Sequence, residues 1–452
     1  MTGSVSSSPA TTDRHRRALA LLDRFRARTR ALVDPLGDDD VHVQHDPLMS
    51  PLVWDVGHVA NFEEWWLLRE VAGRPSYDPA LDDLYDPVKN PRRLRGALAI
   101  PDRRQADAYM EAVRADVRSV LTALEFDRDE PLLRDGYVVS MVAQHEAQHQ
   151  ETVLQALDLR TDLAPYTPAL GGKAGNVPPV DDEERRVVPD GPFLMGTDDT
   201  TASYDNERPA HRVDVAAFAL DRYPASARRY AAFVAAEGYR RPELWSDEGW
   251  RWNEEHGHTA PQGWIADGDG GWLVRRFGHV EPLDPRSIVQ HLSYWEAEAF
   301  ARFSGGRLPT EAEWEKAARW HPATTTARTY PWGDEPPTAA RANLDLTTFG
   351  PSLVGAHPAG ASAYGVEHLV GDVYEWTASD FDGYPGYRSF PYKEYSEVFF
   401  GDEYKVLRGS SWATAALVGR ATFRNWDYPQ RRQIFSGVRV AYDVRERVDE
   451  QP

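Results

Sequence analysis

The chain has 452 residues, enough for two or three domains each with its own core, and its formal charge of -20 leaves no basic face for nucleic acid or an anionic membrane surface. It contains no cysteine, which excludes disulfides, thiolate metal ligands and a cysteine nucleophile. No apolar run is long enough for a signal peptide or a membrane span, so a soluble cytoplasmic protein acting on small molecules is expected.

Residues 1–12 are rich in Ser, Thr, Gly and Pro, the composition of a disordered tail. From Asp13 to Val33, Ala18, Leu21, Leu22, Phe25 and Leu32 recur at helical spacing among arginines that would cover the wet face. Ser50-Pro51 reads as an N-cap and first-turn proline opening a second helix that runs to about Arg69. A third helix is predicted over Asp102 to Leu124, with Met110, Val113, Val117, Val120 and Leu124 inward. The fourth, Gly136 to Leu157, carries Val138, Met141, Val142, His145, His149 and Val153 on one stripe. Four amphipathic helices of this length imply a bundle over residues 13–160.

The fourth helix contains His145-Glu146-Ala147-Gln148-His149, which matches the zinc-protease pattern H-E-x-x-H. Two imidazoles four residues apart share one helix face and can grip one metal ion. A zinc protease also needs a third ligand downstream, a Glu about 20 residues on or a His in the extended motif. Neither is present: no Glu follows Glu151 until Glu183, and no Gly or His occupies the extended positions. The third ligand must come from elsewhere, and His58 on the second helix is the best candidate. Taken alone, a single helical His is more often structural. Neutral imidazoles suit Zn, Fe, Ni and Cu, so ligand type does not select the metal.

Residues 161–187 are rich in Pro, Gly, Asp and Ala, the signature of an inter-domain linker. From Val188 to about 445, short β-like runs alternate with turns, and 12 of the 15 tryptophans lie here, so aromatic packing must supply much of the core. Helices are expected only over Ser226 to Glu237, Tyr294 to Phe303 and Glu311 to Trp320, the last with Thr310 and Glu313 as a capping box.

Five ordered blocks then carry a family likeness: Val188-Pro189-Asp190-Gly191-Pro192-Phe193-Leu194-Met195-Gly196, Gly306-Arg307-Leu308-Pro309-Thr310-Glu311-Ala312-Glu313-Trp314-Glu315, Pro331-Trp332-Gly333-Asp334, Gly371-Asp372-Val373-Tyr374-Glu375-Trp376 and Leu407-Arg408-Gly409. They resemble the formylglycine-generating-enzyme (sulfatase-modifying factor) domain, which implies a C-type-lectin-like fold. Those enzymes work through a cysteine pair, so their own activity is excluded here. The N-terminal half resembles the DinB-like bundle, whose three-histidine metal site His58, His145 and His149 would match. The combination is similar to the sulfoxide synthases of ergothioneine biosynthesis, the EgtB family. The resemblance implies an α+β multidomain protein, a DinB-like four-helix bundle followed by a C-type-lectin-like domain.

It also implies an activity. Members use non-haem Fe(II) and dioxygen to join a thiol sulfur to the imidazole of hercynine, forming a sulfoxide. A three-histidine site leaves positions for both substrates and the oxidant. Residue by residue, Arg92 and Arg95 correspond to the pair that binds carboxylates of gamma-glutamylcysteine, a task suited to paired guanidiniums. Asp427 corresponds to an acid that contacts the same thiol. Asn425 and Trp426 match residues near the carboxylate and trimethylammonium of hercynine, and an indole face suits a quaternary ammonium. Gln148 and Tyr395 are assigned to hercynine as well, and Tyr392 to the catalytic donor of a proton or hydrogen equivalent. Ser410 and Tyr374 depart from the family pattern, where a Gly and a Trp are usual. The expected partners are hercynine with gamma-glutamylcysteine or cysteine, and the expected state is a monomer. Ovothiol- or selenoneine-type synthases and DinB-like thiol transferases remain rival readings, as does a ligand-binding protein without catalysis, against which the three histidines count.

Overall fold

The structure, a computed structural model, describes residues 9–444 apart from 125, 127–129, 161–163, 169 and 173–176. The chain falls into two compact units, Met1–Ala169 with Thr200–Ala202, and Leu170–Asp199 with Ser203–Pro452. Among the described residues no helix is long and apolar enough to cross a membrane.

The first unit is helical: α1 (Pro9–Val33), α2 (Asp38–His42), α3 (Leu52–Glu63), α4 (Pro79–Tyr85), α5 (Arg103–Ala123) and α6 (Tyr137–Asp158). The four long ones form the expected bundle, α1 against α5 and α6, and α3 against α5 and α6. Helix α1 begins at Pro9, four residues inside the expected tail, because a proline in the first turn sacrifices no hydrogen bond. The first eight residues lie outside the described ones. A capping box starts α5, with Asp102 Oδ1 accepting from Gln105 N at 2.8 Å and Gln105 Oε1 from Asp102 N at 2.9 Å. Ser50 does not cap α3. Pro51 stands at the N-cap, and the Ser50 hydroxyl instead accepts from Arg95 Nη1 at 2.7 Å. The second helix keeps its expected length but winds as a π-helix over Glu64–Glu70.

The bundle core is cross-linked by charge. Arg26 on α1 donates to Glu146 Oε1 on α6 at 2.9 Å and to Glu63 Oε2 on α3 at 2.6 Å. Arg114 on α5 donates to the same Glu63 at 2.6 and 3.0 Å, and Thr29 Oγ1 donates to Glu146 at 2.7 Å. All five side chains are buried, so this network ties every long helix to the others. The Glu of the H-E-x-x-H pattern is thereby committed to structure.

In the second unit β1 (Arg185–Val188) overlaps the last three residues of the expected linker, so the β-rich unit starts earlier than Val188. Earlier still, Gly172 N donates to Thr347 O at 2.9 Å. Strands β2 (Gly191–Met195) and β3 (His211–Val215) form a hairpin, while β4 (Phe218–Asp221) pairs antiparallel with β1. An antiparallel meander follows, β5 (Trp264–Ala266), β6 (Trp272–Arg276) and β7 (His279–Pro282), then the short pair β8 (Trp320–His321) and β9 (Thr326–Ala327). The central sheet contains β10 (Tyr374–Phe381), β11 (Gly401–Arg408), β12 (Asn425–Asp427) and β13 (Ser436–Gly437) in the order β12-β11-β10-β13. Strand β14 (Ala441–Asp443) returns to β4.

Four helices accompany these strands: α7 (Ala227–Ala235), α8 (Asp247–His256), α9 (Tyr294–Phe303) and α10 (Glu311–Arg319). Helix α8 was not expected. Its signals are present, a Ser246 N-cap and Gly257 at φ 63 as the stop, but Gly249 breaks the helical pattern. Tertiary packing explains that glycine: a Cβ there would lie 2.9 Å from the Trp295 side chain.

The motif blocks build the core. Trp314 and Trp376 are fully buried, and Trp314 Nε1 donates to Glu375 Oε2 at 2.7 Å. Glu311 accepts from Arg408 at 2.8 Å and from Arg424 at 2.6 Å, and Arg439 pairs with Glu375 at 2.7 Å. Ser410 adopts φ 68, a left-handed backbone that costs a non-glycine residue roughly 1–2 kcal/mol, which accounts for the glycine usual there. The Tyr374 hydroxyl accepts from Thr414 Oγ1 at 3.1 Å.

Candidate metal centre

Helix α3 contributes His58, and α6 contributes His145 and His149 one turn apart. One ring nitrogen of each lies within 4.8 Å of the others. The tautomers follow from the acceptors. His58 Nδ1 donates to the Tyr85 carbonyl at 2.8 Å, and His149 Nδ1 to Asp55 Oδ1 at 2.9 Å. Carbonyl and carboxylate oxygens only accept, so each Nδ1 carries a proton and Nε2 is the ring nitrogen left to face a metal. The His145 ring stacks on Phe62 with centroids 3.7 Å apart, and its buried Nδ1 has no hydrogen-bond partner among the described residues.

Burial pushes the His58 imidazole well below its usual 6.5, reinforced by repulsion from His149 and Arg95. Burial likewise lowers His145, with His149 and His58 adding to it. Both rings are therefore neutral at pH 7, the state a metal ligand needs. Three imidazoles, two of them oriented by acceptors behind them, fit a divalent transition metal; the set contains no carboxylate or thiolate.

Arg92 and Arg95 lie on a 3₁₀ helix, Arg92–Ala97, where residues three apart share a face. Arg95 is buried, donates through Nε to Asn90 O at 2.8 Å and through Nη1 to Ser50, and its guanidinium sits 3.5 Å over the Trp54 ring. Burial lowers it to about 10, which still leaves it charged at pH 7. Trp54 in turn stacks on His58, centroids 4.6 Å apart. This is an ordered stack, unlike a solvated basic loop. Gln148 lies half-buried on α6 between the two histidines.

The remaining predicted residues lie in the second unit. Asn425, Trp426 and Asp427 are β12, paired with Leu407, Val406 and Lys405 of β11. Trp426 lies flat on Phe381 at 4.1 Å and edge-on to Tyr395 at 5.7 Å, and Tyr392 is 6.3 Å from Tyr395. Asp427 pairs with Arg431 at 3.4 Å. The Tyr392 loop is anchored by buried Asp205, which accepts from Tyr387 OH at 2.8 Å, Phe390 N at 3.1 Å and Ser396 Oγ at 2.6 Å.

Reading the sequence missed Asp55, Trp54, Tyr85 and Asp205. Asp55 had a signal, since it sits three residues before His58 on the same face, but its partner is 94 residues away.

The family model for the sulfatase-modifying factor enzyme 1-like domain matches residues 174–444, and that of the DinB superfamily matches residues 21–153. The hercynine oxygenase of Mycolicibacterium thermoresistibile is 47% identical over 95% of this chain and 96% of its own length. The chain belongs to the hercynine oxygenase family. The family's member in Mycobacterium tuberculosis is 46% identical over 94% of this chain and 98% of its own length. Formylglycine-generating enzymes are more distant: that of Thermomonospora curvata is 36% identical over 42% of this chain, and this hercynine oxygenase family member has no cysteine for that chemistry.

Asp55→Asn is expected to weaken metal binding by roughly 10–100-fold, because it loosens the hold on His149 without removing a ligand. Competition titration with a chromophoric chelator checks this; an unchanged Kd would remove Asp55 from the site.

Proposed function

We propose that this chain joins a thiol to the imidazole of hercynine in an iron(II)- and dioxygen-dependent sulfoxide synthesis of the ergothioneine pathway. The observation that carries the reading is the trio of imidazoles converging in a chain that is 47% identical over 95% of its length to a hercynine oxygenase. His58, His145 and His149 would hold the iron, which when bound supplies the activation of dioxygen. The protein's own residues do the rest. Arg95, ordered on Trp54, and Arg92 on the same face bind the carboxylates of gamma-glutamylcysteine, the favoured donor, or of cysteine. Asp427 contacts that thiol substrate. Gln148 is assigned to the hercynine imidazole, Trp426 with Tyr395 to its trimethylammonium, and Asn425 to its carboxylate. Tyr392 holds the proton that the reaction consumes. We also assign a monomeric state, which light scattering would test.

The deciding experiment is anaerobic Fe(II) loading, then air with hercynine and gamma-glutamylcysteine, cysteine or a selenosugar, with product masses as readout. No coupled product from any donor would sink the proposal. A zinc thiol transferase would instead transfer without dioxygen. Tyr392→Phe is expected to shift turnover from coupling to thiol oxidation; an unchanged product ratio would remove its role.

Acid should destabilise the metal-free protein. The fold keeps His58 and His145 neutral, whereas the unfolded chain protonates them near pH 6.5, so the unfolded state binds the extra protons. Stability is full above that pH and is lost as pH falls below it. Urea midpoints from pH 8 to 5 check this, and the slope should flatten in a variant with both histidines replaced by phenylalanine.

A further inference from the structure

A file of aromatic rings leaves the metal centre. Trp54 stacks on His58 at 4.6 Å, Tyr85 follows at 6.0 Å, Tyr109 at a further 6.5 Å and Tyr77 at a further 6.1 Å. Tyr77 is 45% exposed, so the file ends in solvent. Indole and phenol are the readily oxidised side chains of a protein without cysteine, and neighbouring rings at these spacings exchange electrons by short hops.

The hydrogen bonds grade the file. Tyr109 OH donates to the Glu64 carboxylate, and Tyr77 OH to Asp116 Oδ2 at 2.7 Å. A phenol gives up an electron easily only if its proton can leave too, and both outer phenols have a carboxylate to take it. The Tyr85 hydroxyl is buried without a partner among the described residues, which makes it a relay and a poor resting place. The Arg95 guanidinium 3.5 Å over Trp54 disfavours positive charge on the indole, so only a strong oxidant draws an electron through it. Packing alone would be served by leucine at these positions and does not call for a carboxylate at each outer phenol.

We propose that the file Trp54, Tyr85, Tyr109 and Tyr77 carries electrons from the surface to the metal centre, protecting His58 and its neighbours when dioxygen is activated with no thiol substrate bound. The proposal rests on the iron and dioxygen reading above. In each event one electron passes from the Tyr77 phenol along the file to a dioxygen-derived oxidant at the centre, and the phenolic proton moves to Asp116. A neutral tyrosyl radical remains at the surface. A solvent thiol returns a hydrogen atom to it, the exposed Asp116 releases its proton to water, and two thiyl radicals combine as a disulfide.

The test uses the full Fe(II)-loaded chain in air with hercynine and no thiol, read by freeze-quench electron paramagnetic resonance and by peptide mass analysis of oxidised Trp54 and His58. The wild type should give a tyrosyl radical. Tyr77→Phe should move it to Tyr109, with changed hyperfine structure. Tyr109→Phe should abolish it and raise oxidation of the Trp54–His58 peptide several-fold, while coupling in the complete mixture is unchanged. An identical radical and identical lesions in all three proteins would overturn the file, as would no radical from a preparation that forms coupled product. No coupled product from the wild type would overturn the iron reading and the file with it.

Discussion

His145→Ala should abolish retention of a divalent metal, lowering affinity by more than about 100-fold, since loss of a partner behind a ligand already costs 10–100-fold. The substitution isolates the ligand role well. Its Nδ1 has no hydrogen-bond partner among the described residues, so no polar group is orphaned by its removal, and what is lost is its stacking on Phe62 and its tilted contacts with the His58 and His149 rings. Cobalt(II) absorption and metal content after desalting are the measurements, with circular dichroism as the check on folding. Stoichiometric metal in the variant would rule out the three-histidine centre. Under the protease reading His145 would also be a ligand, but Glu146→Gln would then act on catalysis, whereas here it should act on stability.

The second large effect is on the fold. Glu63→Ala should destabilise the helical unit by about 3–5 kcal/mol, the usual result of removing one partner from a buried ionic network. Glu63 is fully buried and is shared by Arg26 and Arg114 from two other helices, so its loss removes a buried partner from two guanidiniums at once and leaves Arg114 with the half-exposed Asp23, at 2.9 Å. Glu146 would retain Arg26, at 2.9 Å, and only partly reach Arg114, at 3.8 Å. A drop in the urea midpoint of the helical unit, with metal affinity little changed in the still-folded fraction, is the expected result. A loss below about 1 kcal/mol would mean that the network contributes little.

Much of this protein was legible in one dimension because its signals are local. The four long helices announce themselves by apolar spacing, and the capping boxes at Asp102 and Thr310 need only residues three apart. His145 and His149 share a face by helical geometry alone. Absence of cysteine excluded formylglycine chemistry without any structure. The short helix over Asp247–His256 was lost because Gly249 is chosen for its contact with Trp295, a tertiary demand that contradicts local propensity.

What the tertiary structure decided are the pairings between distant residues. Only the fold brings His58 from α3 to the α6 pair, sets Asp55 behind His149 and the Tyr85 carbonyl behind His58, and so fixes which nitrogens face a metal. Only the fold sends Glu146 into a salt-bridge network with Arg26 of α1. Spacing along a helix fixes the direction in which a side chain leaves its own axis, whereas its partner is set by the neighbouring helices packed around it. The sequence by itself determined the helical histidine pair and the family likeness; the packing of α1 and α3 around α6 decided which of the five residues His145 to His149 face the candidate centre and which the core.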